Sequence, residues 1–378
     1  MAVYKLFPSK DATLYSGTPD KNTGLDEILE LSIISNGFYP DVSRFIIKFD
    51  NDEIINVFDN FNIDYDECQV FLKCYNAEAT SLPGELDIIV NIVYDDYGSP
   101  NGNGWDMGTG KYLYDPEYRN GVSWTYMKDN QGNPWPSGQG TNFWTTYYDN
   151  VVGGGAWISG SSYEFTQTLS YYSSKDINID VTYPIVSGWI QDNIDNNGFL
   201  VRIADDVDYT GGNYSSSLKY FSRDTHTIYP PQLEIKWDDS SDNYDNIEIL
   251  NDESYLPIVI SINNNPGIFY PSSINEFRVN SRPEYPVRTF QTSSYYTQNY
   301  GLPYGDSYYA IKDLDTNEYV IDFDDQYTKL SLDDNGSFFT LYMNGLEPER
   351  YYSILIKTII NNSTLVFDTN YNFKVING

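Results

Sequence analysis

Histidine is nearly absent, cysteine and basic residues are scarce, and each shortage removes a class of chemistry. The only histidine is His226, in DTHTIYPP, so a zinc site built from several His or Cys has no ligands and a His-containing triad has one place to form. No GxSxG elbow precedes a helix, and no GxxxxGK[ST] loop occurs. Gly104–Lys111 (GWDMGTGK) lacks both the spacing and the final Ser/Thr, so phosphate binding is not indicated. Lys and Arg number 22 against 54 Asp and Glu, a formal net charge of -32 that repels phosphate backbones and anionic headgroups. No nucleic-acid or membrane partner is expected. No apolar run approaches the ~20 residues of a membrane span. The opening MAVYKLFPSKDATLYSG has no apolar core or cleavage pattern, so no signal peptide is expected and synthesis in the cytoplasm is.

The two cysteines, Cys68 and Cys74, lie in CQVFLKC, whose alternation places Cys68, Val70, Leu72 and Cys74 on one face of a strand. Six residues of strand span about 20 Å, and disulfide Cα atoms lie within about 7 Å, so these two are expected to be buried free thiols.

Aromatic surface is what the chain has in quantity. With 37 Tyr, 19 Phe and 7 Trp it can bury enough apolar area to fold despite its acidity. Its 378 residues suit two or three domains. Short alternating or β-branched runs separated by Gly, Asn, Asp, Ser and Pro predict an all-β protein. The clearest strands are Leu29–Ser35, Ser43–Phe49, Cys68–Cys74, Asp87–Tyr94, Phe165–Tyr172 and Ile177–Val181, then Phe199–Ile203, Gln232–Trp237, Tyr319–Phe323, Phe338–Met343, Tyr352–Thr358 and Tyr371–Ile376. Helical periodicity is confined to Tyr183–Asn193, where Ile185, Val186, Trp189 and Ile190 share a face.

The acidic stretch 239–246 after QLEIKW reads as a linker between a domain at 1–238 and a sandwich region at 247–378, the latter with an irregular segment at about 264–306. All seven tryptophans precede it. Within the first domain, about 97–160 is an insertion rich in Gly, Asn, Pro, Tyr and Trp, long enough to suggest a function.

Several segments of residues 1–238 carry a resemblance. They are Asp11-Ala12-Thr13-Leu14-Tyr15, Asn22-Thr23-Gly24, the strand Arg44–Asp50, the Gly104–Gly110 and Gly121–Trp124 segments, Phe143-Trp144, Ile179–Thr182 through Trp189 to Leu200, and Pro230–Ile235. In order and spacing they resemble the DNRLRE family, a carbohydrate-binding-module-like jelly roll. The resemblance implies a jelly-roll β-sandwich whose tryptophan-rich insertion packs over it or serves as a contact surface, and it carries no catalytic residues across. The family's usual members are secreted, and the absent signal departs from that. At the other end, Leu346, Pro348 and Tyr352 resemble the LxPxxxY corner of fibronectin type III domains, which implies an Ig-like or fibronectin-III-like sandwich there.

Among metals, calcium suits oxygen-rich loops, but Asn193–Gly198 fails as an EF-hand start because Ala204 stands where a bidentate Glu is needed; a turn with Gly198 at positive φ explains it better. No cofactor is expected. Asp95-Asp96, Asp205-Asp206 and Asp324-Asp325 read as solvated loops. The candidate contact surface is aromatic: Trp105, Trp124, Trp135, Trp144, Tyr147 and Tyr148, with Trp105, Trp124 and Trp144 expected packed and Trp135, inside Asn133-Pro134-Trp135-Pro136, expected exposed.

These features predict a non-enzymatic structural protein of a tailed-bacteriophage virion, forming a fibre, collar, tail or capsid decoration. It would associate with itself or dock on a symmetric assembly of other virion proteins. A glycan-binding adhesin module that uses the aromatic insertion on a cell-surface sugar is the second expectation, and a carboxylate-based glycoside hydrolase a distant third.

Overall fold

A computed structural model describes residues 2–35, 40–94, 104–113, 120–128, 134–135, 153–158, 160–204, 215–251, 256–263, 265–285 and 298–377. The chain forms two units: a larger one of Leu6–Tyr65 and Gln69–Glu234, and a smaller one of Met1–Lys5, Asp66–Cys68 and Ile235–Gly378. The division thus falls a few residues before the expected one and assigns two short N-terminal stretches to the second unit.

The strands of the first two-thirds of the chain are β1 (Ala2–Leu6), β2 (Lys10–Tyr15), β3 (Ile28–Ser35), β4 (Pro40–Lys48), β5 (Cys68–Cys74) and β6 (Asn76–Thr80), then β7 (Glu85–Ile92), β8 (Glu164–Ser170), β9 (Ile177–Asp180), β10 (Phe199–Ile203), β11 (Ser216–Phe221) and β12 (Gln232–Trp237). An eight-stranded sheet runs β6-β11-β3-β4-β10-β7-β8, with β2 also paired to β4. β5 pairs antiparallel with β9, Phe71 opposite Asp180 through Cys74 opposite Ile177. β5 shows the alternation its sequence requires: Cys68, Val70, Leu72 and Cys74 are buried and both thiols are free.

A helix absent from the sequence expectations follows β4. Asp50 caps α1 (Asn51–Phe61), its Oδ1 accepting from the backbone N–H of Asp52 at 2.9 Å and of Glu53 at 3.3 Å. Asn62, in the left-handed conformation, ends it, and Ile54, Val57 and Phe58 form its buried stripe. The expected helix around Tyr183–Asn193 is a π-helix over Pro184–Ile190 that buries Ile185, Val186 and Trp189.

The smaller unit continues with β13 (Asp242–Asn243), β14 (Ile258–Ile262), β15 (Ile268–Phe269), β16 (Ile274–Pro283), β17 (Ser307–Asp313) and β18 (Tyr319–Ile321), then β19 (Ser331–Asp333), β20 (Gly336–Tyr342), β21 (Tyr351–Ile360) and β22 (Ser363–Val375). They make two five-stranded sheets, β13-β19-β20-β16-β14 and β15-β22-β21-β17-β18. Aromatic rings fill the space between them: Phe339 stacks on its cross-strand neighbour Phe277 at 5.4 Å and on Tyr309 of the other sheet at 4.1 Å, beside Tyr352 and Phe373.

Two expectations fail here. The stretch 239–246 is no spacer: β13 pairs in parallel with β19, and Asp334 Oδ1 accepts from the backbone N–H of Asp245 at 2.7 Å and Asn246 at 2.9 Å. Part of the segment 264–306 is regular, because β16 alternates apolar Phe277 and Val279 toward the core, a pattern obscured by its flanking Asn, Arg and Pro. The corner at Leu346–Tyr352 does form: Tyr352 Oη donates to Glu347 O at 3.0 Å.

Candidate functional site

In the larger unit, β4 and β10 are buried on both faces, which a two-layer sandwich alone does not explain. Cross-strand register separates the faces. Phe199 lies opposite Ile47 and Val201 opposite Phe45, and these point one way. Leu200, opposite both Ile46 and Asn91, points the other way together with Arg44 and Arg202.

Described residues of the tryptophan-rich insertion, Trp124, Gly154, Gly155 and Trp157, cover this second face as a third layer. Trp157 packs against two fully buried arginines, with Arg44 Cζ 5.2 Å and Arg202 Cζ 4.8 Å from its ring centroid. Arg44 Cζ also sits 5.0 Å from Trp124, and its Nη1 donates to Gly154 O at 2.8 Å. Arg202 Nε donates to Asn91 Oδ1 at 3.0 Å, and its Nη2 reaches Glu164 Oε2 at 3.4 Å. Desolvated cation–π contacts of this kind contribute about 2 kcal/mol each. Gly155, at φ +92, lets the backbone approach so closely that a Cβ there would lie 2.1 Å from Leu200 Cδ1.

A second fastening is Asn22, fully buried. Its Nδ2 donates to Met107 O at 2.7 Å and Val122 O at 2.8 Å, while Oδ1 accepts from Gly110 N–H at 2.7 Å and Gly24 N–H at 3.3 Å. Every hydrogen-bonding position of that carboxamide is thus used. Gly108, at φ +76, is required beside it, since a Cβ would fall 2.0 Å from Asn120 O.

The candidate tryptophans are therefore placed inside the protein. Trp105 is 1% exposed and donates from Nε1 to Asn197 O at 2.9 Å; Trp124 is wholly buried. Trp135 corrects the expectation of exposure. It is 4% exposed, because its Nε1 donates to Ser123 O at 3.0 Å and its backbone N–H to Thr125 O at 3.4 Å, contacts that its flanking prolines do not reveal. Trp144, Tyr147 and Tyr148 lie outside the described residues, as do Asp95-Asp96 and Asp205-Asp206. Trp157, Arg44 and Arg202 are the residues sequence reasoning missed. An arginine inside each apolar run, SRFIIK and LVRI, was the available signal.

His226 is exposed, with Nε2 3.9 Å from Glu27 Oε1. Among the described residues no group of three or more His, Cys, Asp or Glu could hold a metal ion, and no helix is long and apolar enough to cross a membrane. Asp324 caps its own turn, Oδ1 accepting from Gln326 and Tyr327 N–H. Gly198 takes φ +84 in the Asn193–Gly198 segment, and Asn196 Oδ1 accepts its N–H at 3.0 Å, the geometry of an Asx turn. Comparison with models of protein families finds no match to the chain, and comparison with curated protein sequences finds none either.

Two acids, Asp11 buried and Asp26 half-buried, tune the larger unit. Burial pushes Asp11, despite accepting Arg223 N–H at 2.6 Å, up to about 7, and burial raises Asp26 to about 6. Carboxyls raised in the folded state favour it when protonated, so their contribution is fully present below about pH 4 and is lost as pH rises through about 7. The larger unit is expected to be more stable at pH 5 than at pH 8, and so to have the higher thermal midpoint there, by about 2 kcal/mol carried mainly by buried Asp11, since solvent screens the half-exposed Asp26. Asp11→Asn should flatten that slope in a pH series followed by circular dichroism; an unchanged slope would refute the assignment to Asp11.

Proposed function

We propose that this protein is a non-enzymatic structural component of a virion, of the tailed-bacteriophage kind, acting through protein–protein contacts as part of a fibre, collar, tail or capsid decoration. The observation that carries the reading is the use to which the insertion is put. Its described tryptophans are consumed as an internal layer, which stiffens a sandwich and offers no open platform for a sugar ring. The large hydrophobic side chains that reach solvent among the described residues are scattered over an acidic surface: Tyr172 is 95% exposed with Tyr171 packed edge-on against it at 5.1 Å, and Leu113 is 91% exposed. Such side chains serve as anchors when a partner covers them. The DNRLRE-like order of motifs and the Ig-like corner agree with serial sandwich modules of an assembly.

With a net charge of -32, copies repel one another unless salt, cations or a basic partner offsets it. Self-association is expected to strengthen from about 50 mM to 500 mM salt in sedimentation velocity, with the steepest change where the Debye length falls below about 10 Å. Mass spectrometry of purified particles is expected to find the chain at fixed stoichiometry; its absence from them would refute the virion reading.

A further inference from the structure

In the smaller unit, β22 has an edge that no described strand covers along most of its length. The hairpin β21–β22 turns through Asn361 and Asn362, both left-handed at φ +49 and +62, so Ile360 and Ser363 close the turn as a hydrogen-bonded pair. Hydrogen-bonded and non-hydrogen-bonded pairs alternate from there. Thr358 with Leu365 and Ile356 with Phe367 exchange bonds, whereas Thr364, Val366 and Asp368 turn their N–H and C=O groups away from β21. Among the described residues nothing pairs with those outward groups, since β15 joins β22 only at Lys374 and Val375.

Native sheets usually blunt such an edge. β13 and β18, which end these two sheets elsewhere, have two and three residues. β22 carries no Lys or Pro from Ser363 to Asp368, and its bulge, with Asn370 at φ +53, comes only after Asp368. Val366 is 54% exposed on the outer face, and Leu365 and Phe367 are only half-buried at the rim of the core. An added strand would cover all three.

We propose that the added strand is β22 of a second copy, the two pairing antiparallel about a two-fold axis at Val366. This inference rests on the assembly reading and names the surface through which copies meet. The register follows from the outward groups. With Val366 opposite its own copy and Thr364 opposite the second copy's Asp368, every outward N–H and C=O finds a mate; centring on Leu365 or Phe367 runs one end into the turn or the bulge. Charge favours the same register. Asp368 is the one charged residue from Ser363 to Phe373, and here it lies beside a threonine hydroxyl that can donate to it. The two Asp368 carboxylates stand about 13 Å apart along the strands, beyond the Debye length of about 8 Å at 0.15 M salt. On a chain of net charge -32, this is a stretch where copies meet without acid facing acid.

Sedimentation equilibrium of the full chain at about 0.15 M salt should show a weak monomer–dimer equilibrium. Val366→Lys and Val366→Glu each set like charges opposite one another and should each weaken the dimer about tenfold, while their equimolar mixture should restore it. Val366→Lys also makes the chain less negative, so general repulsion alone predicts the opposite sign. Val259→Lys, the same change on exposed β14 of the other sheet, should leave the dimer unchanged. Amide exchange followed by NMR reads the register: Thr364, Val366 and Asp368 should exchange fast in the dilute monomer and slow as the dimer forms, with Leu365 and Phe367 slow throughout. A monomer at every concentration, equal weakening by all three variants, or no rescue by the mixture would each overturn the proposal. So would edge amides already protected in the monomer, because the chain itself would then fill the edge. A chain found in particles that never dimerises would sink the self-pairing alone. Dimerisation through β22 by a chain absent from particles would sink the virion reading alone.

Discussion

Arg44→Ala is expected to unfold the larger unit at a temperature on the order of 10 °C or more below the parent, the largest single-residue effect we anticipate. Three losses coincide. Truncation opens a cavity next to Trp124 and Trp157, and large-to-small changes of this size cost about 3–5 kcal/mol. Gly154 O loses the donor at 2.8 Å in a buried site, an unsatisfied acceptor costing about 1–3 kcal/mol. Two cation–π contacts vanish as well. The terms share one side chain and do not add, so a net cost on the order of 4–6 kcal/mol is expected. Arg44→Met refills much of the volume and leaves Gly154 O bare, so it should recover about half of the loss. Tryptophan fluorescence and near-ultraviolet circular dichroism would report the two indoles directly. A midpoint shift under about 2 °C for Arg44→Ala would show that the guanidinium is dispensable to the third layer.

Why that layer was only half legible follows from the kind of information each part needs. β5 was readable because CQVFLKC alternates with period two and obeys it. The Tyr352 corner was readable because a short spacing, Leu346 and Pro348 before Tyr352, fixes a local hydrogen bond to Glu347. α1 was hidden in NDEIINVFDNF, whose Asn and Asp residues read as a turn although Asp50 and the Ile54, Val57 and Phe58 stripe supply a cap and a face. Trp135 was misjudged because flanking prolines describe only its own backbone, and its burial depends on Ser123 and Thr125. Arg44 and Arg202 sit on the face opposite the main core, so their alternation was visible, but nothing local announces that distant indoles close over them. Asn22 was singled out through its resemblance to a family motif, and three of its four partners lie 85 to 100 residues away along the chain.

Asn22→Leu should therefore release the insertion with less damage to the sheets. Leucine approximates the volume of the carboxamide but makes none of its four hydrogen bonds, leaving Met107 O, Val122 O and Gly110 N–H buried without the partner each now has. At about 1–3 kcal/mol for each orphaned group, and allowing for relaxation of the loop, the cost should be on the order of 3–5 kcal/mol. Asn22→Asp is expected to be no better, because it removes both donors and sets a carboxylate against two carbonyl oxygens at 2.7 and 2.8 Å. The two fastenings are distinguishable by where protection is lost. Hydrogen exchange in Asn22→Leu should rise first in 104–110 and 120–124, with β4 and β10 still protected, whereas Arg44→Ala should expose β4, β10 and 153–157 together. Leu113→Ala, an exposed change in the same insertion, should stay within about 0.5 kcal/mol of the parent. If Asn22→Leu matched Leu113→Ala in midpoint and exchange, the carboxamide would not be what holds the insertion down.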